Sequence, residues 1–387
     1  MNQIWQQFFE DQINNLHQTG RYRFLRTIAS PQDAEVICDG RRYINFCSNN
    51  YLGLANHPAL RIAAINAIQK YGWGAGASRL ICGNMQLHQE LETQIARFKS
   101  SQAALVFPAG FMTNTGAISA LVQKDDAVFI DRLNHASIVD GCRMSPARLL
   151  VYGHNDMDDL KKSLQRTRPR FRKILIVTDS VFSMDGDLAP LPELVAIAAE
   201  FDALLMVDEA HATGVLGENG RGALEYFNLE GRAGVVMGTL SKGIGSLGGF
   251  IAADQILIDY LRNFSRSFIY TTAPPPAFCA AACAGLQLIE QEKWRRDKLK
   301  ENVLYLKQQL TSLGSSCDNL PVPIIPLIIG AEAKTIALSN YLQDQGILAP
   351  PIRPPTVAPN TCRLRITVMA THTKEHIDKL IDALRKA

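Results

Sequence analysis

The stretch "LLMVDEAHATG" (Leu204–Gly214) decides the fold. Four apolar residues run unbroken into an acid, and a glycine closes the segment. A short apolar run with no polar alternation suits a strand buried on both faces, which is the habit of parallel sheets. Working outward, the same signature recurs in "ALVF" (Ala104–Phe107), "AVFI" (Ala127–Ile130), "ILIVT" (Ile174–Thr178) and "GVVMG" (Gly234–Gly238). Helical patterns separate these runs, such as "LPELVAIAAEF" after Pro190. The alternation predicts an α/β fold around a mostly parallel sheet.

Three parts are expected along the chain: an N-terminal helix and extended arm over 1–49, a large α/β domain over 50–285, and a small C-terminal α/β domain over 286–387. The small domain is read from the periodic helix Glu292–Leu313, strand-like "VPIIPLIIG" (Val322–Gly330), a helix near Thr335–Gln345, "RLRITV" (Arg363–Val368) and a closing helix. The proline-rich "APPIRPPTVAP" (Ala349–Pro359) is read as an ordered loop within it.

Composition narrows the function classes. A net charge of +3 over 387 residues gives no argument for nucleic acid or membrane. The longest apolar stretch, Ala277–Ile289, is too short to cross a bilayer, and the N-terminus lacks the basic start and apolar run of a secretory signal. Eight cysteines without a CxxC pair fit a reduced, cytoplasmic protein and no metal site. Cys279 and Cys283, four apart on one helix, are read as packing residues.

An acid–acid–histidine box at a strand end raises two chemistries. One is the ATP-hydrolysis box of a helicase, which needs a phosphate-cradling loop ending in Gly-Lys; that dipeptide occurs nowhere in the chain. "GIGSLG" (Gly243–Gly248) fits the dinucleotide pattern, but it leads into strand-like "GGFIAA" and lacks an acid about 20 residues on. The other chemistry is an aspartate that holds the pyridine ring of a cofactor. In "GTLSKGIG" (Gly238–Gly245), Lys242 follows a buried strand among small residues. Partial desolvation there lowers a lysine's pKa and lets it form a Schiff base with an aldehyde.

Pyridoxal phosphate requires such a lysine and a carboxylate at its ring nitrogen. Asp208 precedes Lys242 by 34 residues, about one strand–helix–strand unit, so both groups reach the crevice at the strand C-termini. In "FPAGFMTNTGAI", Gly110 turns the chain into a helix whose first amides suit a phosphate. Thr239 and Ser241 add hydroxyls beside Lys242. His135 in "DRLNHASI" is either a helix-start residue or a ring stacked on the cofactor, and Ser183 and Asp185 lie at the same rim.

From "NFCSNNYLGL" through "GWGAGASRLICG", "FPAGF", "DRLNHAS", "VFSMDGDLAPL", "VDEAHATG" and "GTLSKGIG" to "IRPPTVAPNTCRLRIT", the chain resembles the α-oxoamine synthases, pyridoxal phosphate enzymes of fold-type I. The resemblance implies Lys242 as the cofactor lysine and Asp208 as the partner of the ring nitrogen. It also implies His211 on the ring hydroxyl and His135 stacked on the ring, with Gly110, Phe111, Ser183 and Thr239 completing the cofactor site. "IRPPTV" is similar to the biotin-pathway branch, which condenses L-alanine with a pimeloyl thioester of coenzyme A or acyl carrier protein. That likeness implies substrate contacts from Arg23, Asn49, Ser78, His135, Thr356 and Arg365, with Arg363 as the alternative to Arg365. Glycine-using relatives tend to carry threonine at Ser78. Asn50 departs from the family's usual aspartate. The resemblance further implies a homodimer. A synthase using glycine or serine, an aminotransferase of the same fold, and a non-enzymatic cofactor-binding regulator remain as other readings.

Overall fold

The computed structural model describes residues 1–387. At its centre lie seven strands: β1 (Ala103–Phe107), β2 (Ala127–Asp131), β3 (Arg148–Tyr152), β4 (Ile174–Asp179), β5 (Leu204–Asp208), β6 (Val235–Thr239) and β7 (Gly249–Ala253). Their order across the sheet is β1-β7-β6-β5-β4-β2-β3. Strands β2 to β6 pair in parallel, and β7 runs antiparallel to both β6 and β1.

The unbroken apolar runs are explained by burial on both sides. Successive side chains of a strand face opposite ways. Val128, Ile130, Leu175, Val177 and Met206 therefore enter one core, under the helices Gly110–Leu121, Ala136–Met144 and Gln255–Phe264. Phe129, Ile176 and Val207 enter the other, with the helices Leu191–Glu200 and Pro276–Gln291. Cys279 and Cys283 pack in this second core, and all eight cysteines are unpaired. Strand β3 (RLLVY) lies at one edge of the sheet and leaves Arg148 and Val151 exposed. "GIGSLG" forms the turn from β6 into β7, with Gly245 and Gly248 at positive φ, and builds no dinucleotide loop.

A second sheet carries the C-terminal site residues. β8 (Ile324–Gly330) pairs antiparallel with β9 (Cys362–Thr367), setting Pro326 opposite Arg365 and Ile328 opposite Arg363. The short strand Pro351–Ile352 flanks β9 on its other side. The helices Lys293–Ser312, Glu332–Asp344 and Lys374–Lys386 accompany this sheet.

The arm before Asn49 finds a partner within its own chain. Residues Glu35–Cys38 and Arg41–Asn45 form a hairpin, and Asp39 and Gly40 supply the two left-handed positions that its two-residue turn demands. Its second strand pairs in parallel with Ile347–Leu348. The leading helix Gln3–Gln18 buries no residue, and Ile4, Trp5, Phe8, Phe9 and Ile13 are exposed along it. No helix is long and apolar enough to cross a membrane.

Candidate active site

Five loops leave the sheet at the C-terminal ends of β1, β2, β4, β5 and β6, and they carry Gly110, His135, Ser183, His211 and Lys242 respectively. Parallel strands present their C-termini at one edge, so residues spread over some 130 positions converge on one crevice.

Asp208 ends β5 and is buried. Its Oδ1 accepts from the Ala210 amide at 2.8 Å, and its Oδ2 accepts from Asn114 Nδ2 at 2.7 Å. Asn114 also donates to Ser137 Oγ at 2.9 Å, and that hydroxyl lies 2.7 Å from His135 Nδ1. The His135 amide in turn donates to Asp179 Oδ2 at 2.8 Å. Burial, and then the charge of Asp208 on the adjoining strand, raise the Asp179 carboxyl well above the usual carboxylate range.

Glu209, the other acid of the box, turns back into the scaffold. Its Oε2 meets Lys99 Nζ at 2.6 Å, with both side chains almost wholly buried, and its Oε1 accepts from the Leu224 amide. Two adjacent acids therefore serve opposite purposes, one in the crevice and one in the framework.

Lys242 Nζ lies 2.8 Å from His211 Nε2, and His211 Nδ1 lies 2.7 Å from Tyr51 Oη. Burial pushes the Lys242 amine down from 10.5 to about 8, although Asp208 and Asp179 pull it upward. Burial, with the nearby charges of Lys242 and Arg365, holds His211 well below its ordinary range, so that ring is neutral. His135 is lowered too, first by desolvation and against the pull of Asp208.

Arg365 projects from β9 into the same network. It donates to Asn49 Oδ1 at 3.1 Å, to Tyr51 Oη at 3.4 Å and to the Ser183 carbonyl. Arg363 is engaged elsewhere, with the Asp185 carboxylate and the Met184 carbonyl. Asn50 acts in the local turn, where its Oδ1 accepts from the Ala55 amide at 3.1 Å.

Gly110 opens the helix Gly110–Leu121 after Ala109, which offers no side-chain cap. The first-turn amides thus await an acceptor. A Cβ on Gly110 would stand 3.5 Å from Thr239 Oγ1, so the Thr239 and Ser241 hydroxyls border the same spot. Phe111 is partly exposed at this helix start.

Three residues implied by resemblance are absent from these hydrogen-bond networks. Ser78 pairs its backbone with Thr272 and caps the turn at Gly83. Thr356 sits exposed in the loop after Pro351–Ile352, and Arg23 is exposed beside Tyr22, whose carbonyl is held by Arg353. Conversely, Asn114, Tyr51 and Asp179 belong to the site although sequence reasoning passed over them. Acids end β2, β4 and β5 alike, at Asp131, Asp179 and Asp208, a repeat legible in the sequence.

Residues 41–384 match the family model for aminotransferase class I and II, and the chain belongs to that family. Among curated relatives, the 8-amino-7-oxononanoate synthase of Thermoanaerobacter pseudethanolicus is 46% identical over 379 residues, covering 98% of this chain and 96% of that one. The enzyme of the same name from Symbiobacterium thermophilum is 47% identical over 98% of this chain and 97% of its own. Among solved structures, the Sphingomonas wittichii serine palmitoyltransferase superposes with a TM-score of 0.93 at 30% identity, over 99% of this chain and 97% of its own. A structure of 8-amino-7-oxononanoate synthase from Francisella tularensis gives 0.76 at 29% identity, over 89% of this chain and 97% of its own.

A structure of SPT with PLP as an internal aldimine matches at 0.94 and 30% identity, over 100% of this chain and 98% of its own. The crevice described above fits that group. It offers an uncapped helix start flanked by hydroxyls for a phosphate, a buried carboxylate for a ring nitrogen and a desolvated lysine for an aldehyde.

Proposed function

We propose that this chain is a pyridoxal phosphate-dependent acyltransferase that condenses L-alanine with a pimeloyl thioester, on coenzyme A or acyl carrier protein. Carbon dioxide and free thiol are released, and the product is 8-amino-7-oxononanoate, a biotin precursor. One observation carries the reading: a lysine whose amine is pushed down to about 8 and a buried, doubly hydrogen-bonded carboxylate share a crevice with Arg365, an arginine that has no carboxylate partner of its own. Full-length similarity to enzymes of that name supports the choice of reaction.

When bound, pyridoxal phosphate supplies an aldehyde for imine exchange and a ring that withdraws electrons from the α-carbon. Lys242 would hold the aldehyde, and its Nζ would take the α-proton; an amine pushed down to about 8 suits both tasks. Asp208, its carboxylate oriented by Asn114 and the Ala210 amide, would hold the ring nitrogen in its protonated form. His211 is neutral and positioned beside Lys242 to bond the ring hydroxyl. The amides of Gly110 and Phe111 hold the phosphate with Thr239, and Ser183 borders the cofactor. His135 would stack on the ring and donate a hydrogen bond to the thioester carbonyl oxygen as negative charge develops there. Arg365 takes the amino-acid carboxylate beside Asn49.

The active form is a cytoplasmic homodimer, in which the exposed apolar face of Gln3–Gln18 is covered by a second copy. Arg23, Ser78 and Thr356 contact substrate in that assembly, Ser78 leaving room for alanine's methyl. The test is thiol release from a panel of amino acids and acyl thioesters. L-alanine with pimeloyl thioester gives the highest kcat/KM, and Ser78→Thr shifts relative turnover towards glycine, by the ~1–3 kcal/mol that one methyl commands. Faster release with glycine and acetyl-coenzyme A would replace this reaction with that of another synthase of the same chemistry.

A further inference from the structure

Outside the cofactor network, a histidine is held between two carboxylates at the same end of the sheet. His154 follows β3, and its Nδ1 lies 3.0 Å from Asp131 Oδ1 while its Nε2 lies 2.8 Å from Asp187 Oδ2. Both ring nitrogens face carboxylate oxygens, an arrangement that favours the doubly protonated ring. Burial pulls its pKa down, but the bonds to Asp131 and Asp187 outweigh that and raise it.

Asn155 repeats the bridge. Its amide donates to Asp131 Oδ2 at 2.7 Å, and its Nδ2 donates to Asp187 Oδ2 at 2.9 Å and to the Leu188 carbonyl at 3.2 Å. Asn155 adopts φ 52°, a left-handed position that asparagine tolerates better than most residues.

What this bridge fastens is the loop Val181–Leu188, closed at its base by a backbone pairing of Val181 with Leu188. The His154 ring also meets Phe182 edge-on, with ring centroids 4.5 Å apart. At its tip the loop grips both arginines of β9: the Ser183 carbonyl accepts from Arg365, and Asp185 and the Met184 carbonyl accept from Arg363. Gly186 lies against β8, where a Cβ would stand 2.1 Å from the Ile324 carbonyl oxygen. The loop is thus pinned to the main sheet at its base and to the second sheet at its tip. It is a strut that sets where Arg365 sits relative to Lys242.

We propose that His154 is a positioning residue for the substrate carboxylate: it anchors the Val181–Leu188 loop and thereby fixes the guanidinium of Arg365. The proposal rests on the reading of Arg365 given above. A guanidinium displaced by a fraction of an ångström loses its paired geometry with a carboxylate, while Lys242, Asp208 and the helix start at Gly110 belong to other loops and keep theirs.

The test compares cofactor-loaded wild type, His154→Gln and Arg365→Lys. Three quantities are read: the L-alanine dissociation constant from the cofactor's absorbance without thioester, the thioester KM, and the cofactor dissociation constant. His154→Gln raises the alanine constant on the order of tenfold, with thioester KM and cofactor affinity within about twofold of wild type. Arg365→Lys raises the alanine constant further. An unchanged alanine constant in His154→Gln beside a raised one in Arg365→Lys overturns the positioning role and leaves the arginine reading intact. An unchanged constant in Arg365→Lys overturns the arginine reading itself. Equal losses of alanine and cofactor affinity in His154→Gln mean a general structural role and also overturn the proposal. Should His154→Gln fail to fold, Asp187→Asn weakens the same bridge from the loop side and is held to the same outcomes.

Discussion

Lys242 should titrate far below an ordinary lysine in the protein without cofactor. Burial moves its amine from 10.5 to about 8, a difference worth ~3 kcal/mol between charged and neutral forms. At pH 7 roughly one molecule in ten then carries the free amine, against roughly one in three thousand for an unperturbed lysine. Trace acetylation with acetic anhydride, read at residue 242 by peptide mass and referenced to exposed lysines of the same chain, measures this directly because only the neutral amine reacts. The expected curve rises to a plateau with its midpoint near pH 8. Asp208→Asn removes the larger of the two carboxylate influences that hold the pKa up, so the midpoint falls further. The linked stability has a definite sign: between about pH 8 and 10.5 the unfolded chain binds more protons, so the cofactor-free protein gains stability as pH rises through that window. Labelling that climbs without a plateau to pH 10 would refute the desolvation argument.

Three other perturbations probe separate parts of the structure. Lys99→Met strands the buried Glu209 carboxylate, so it should destabilise by ~3–5 kcal/mol in thermal or urea unfolding, and adding Glu209→Gln should restore part of the loss; no change in the single variant would mean the pair contributes nothing. Asp208→Asn keeps the shape but loses the charge and one of two acceptors, so the cofactor should still load while kcat falls by about a hundredfold or more, and near-normal turnover would make the carboxylate structural. Removing residues 1–26 takes away the exposed apolar helix, so sedimentation equilibrium should shift from dimer to monomer; a full-length chain that is already a compact active monomer would contradict the assembly.

The sequence displayed the sheet's interior and hid its margins. Strands β1, β2, β4, β5 and β6 are apolar on both faces, and that is a strong one-dimensional signal. Edge strand β3 mixes exposed and buried positions in five residues, and the parallel pairing of Ile347–Leu348 with Ile44–Asn45 joins segments some 300 residues apart, which no local pattern encodes. The site shows the same division. Lys242 and Asp208 were legible because one follows and the other ends a buried strand, whereas Asn114 faces Asp208 from the second turn of a helix and Tyr51 reaches His211 from the N-terminal part of the chain. Choosing between Arg363 and Arg365 required the partners: alternation on one strand puts both on the same side, and only Asp185 distinguishes them.

The central claim is a condensation that expels the amino acid's carboxyl group, in a chain whose family model is that of aminotransferases. Incubating the cofactor-loaded protein with alanine labelled with carbon-13 at C1, together with pimeloyl-coenzyme A, tests it most directly. The account predicts one labelled carbon dioxide for each thiol released, and an unlabelled amino ketone with the mass of 8-amino-7-oxononanoate. Conversion of alanine to labelled pyruvate, with neither thiol nor carbon dioxide set free, would contradict it.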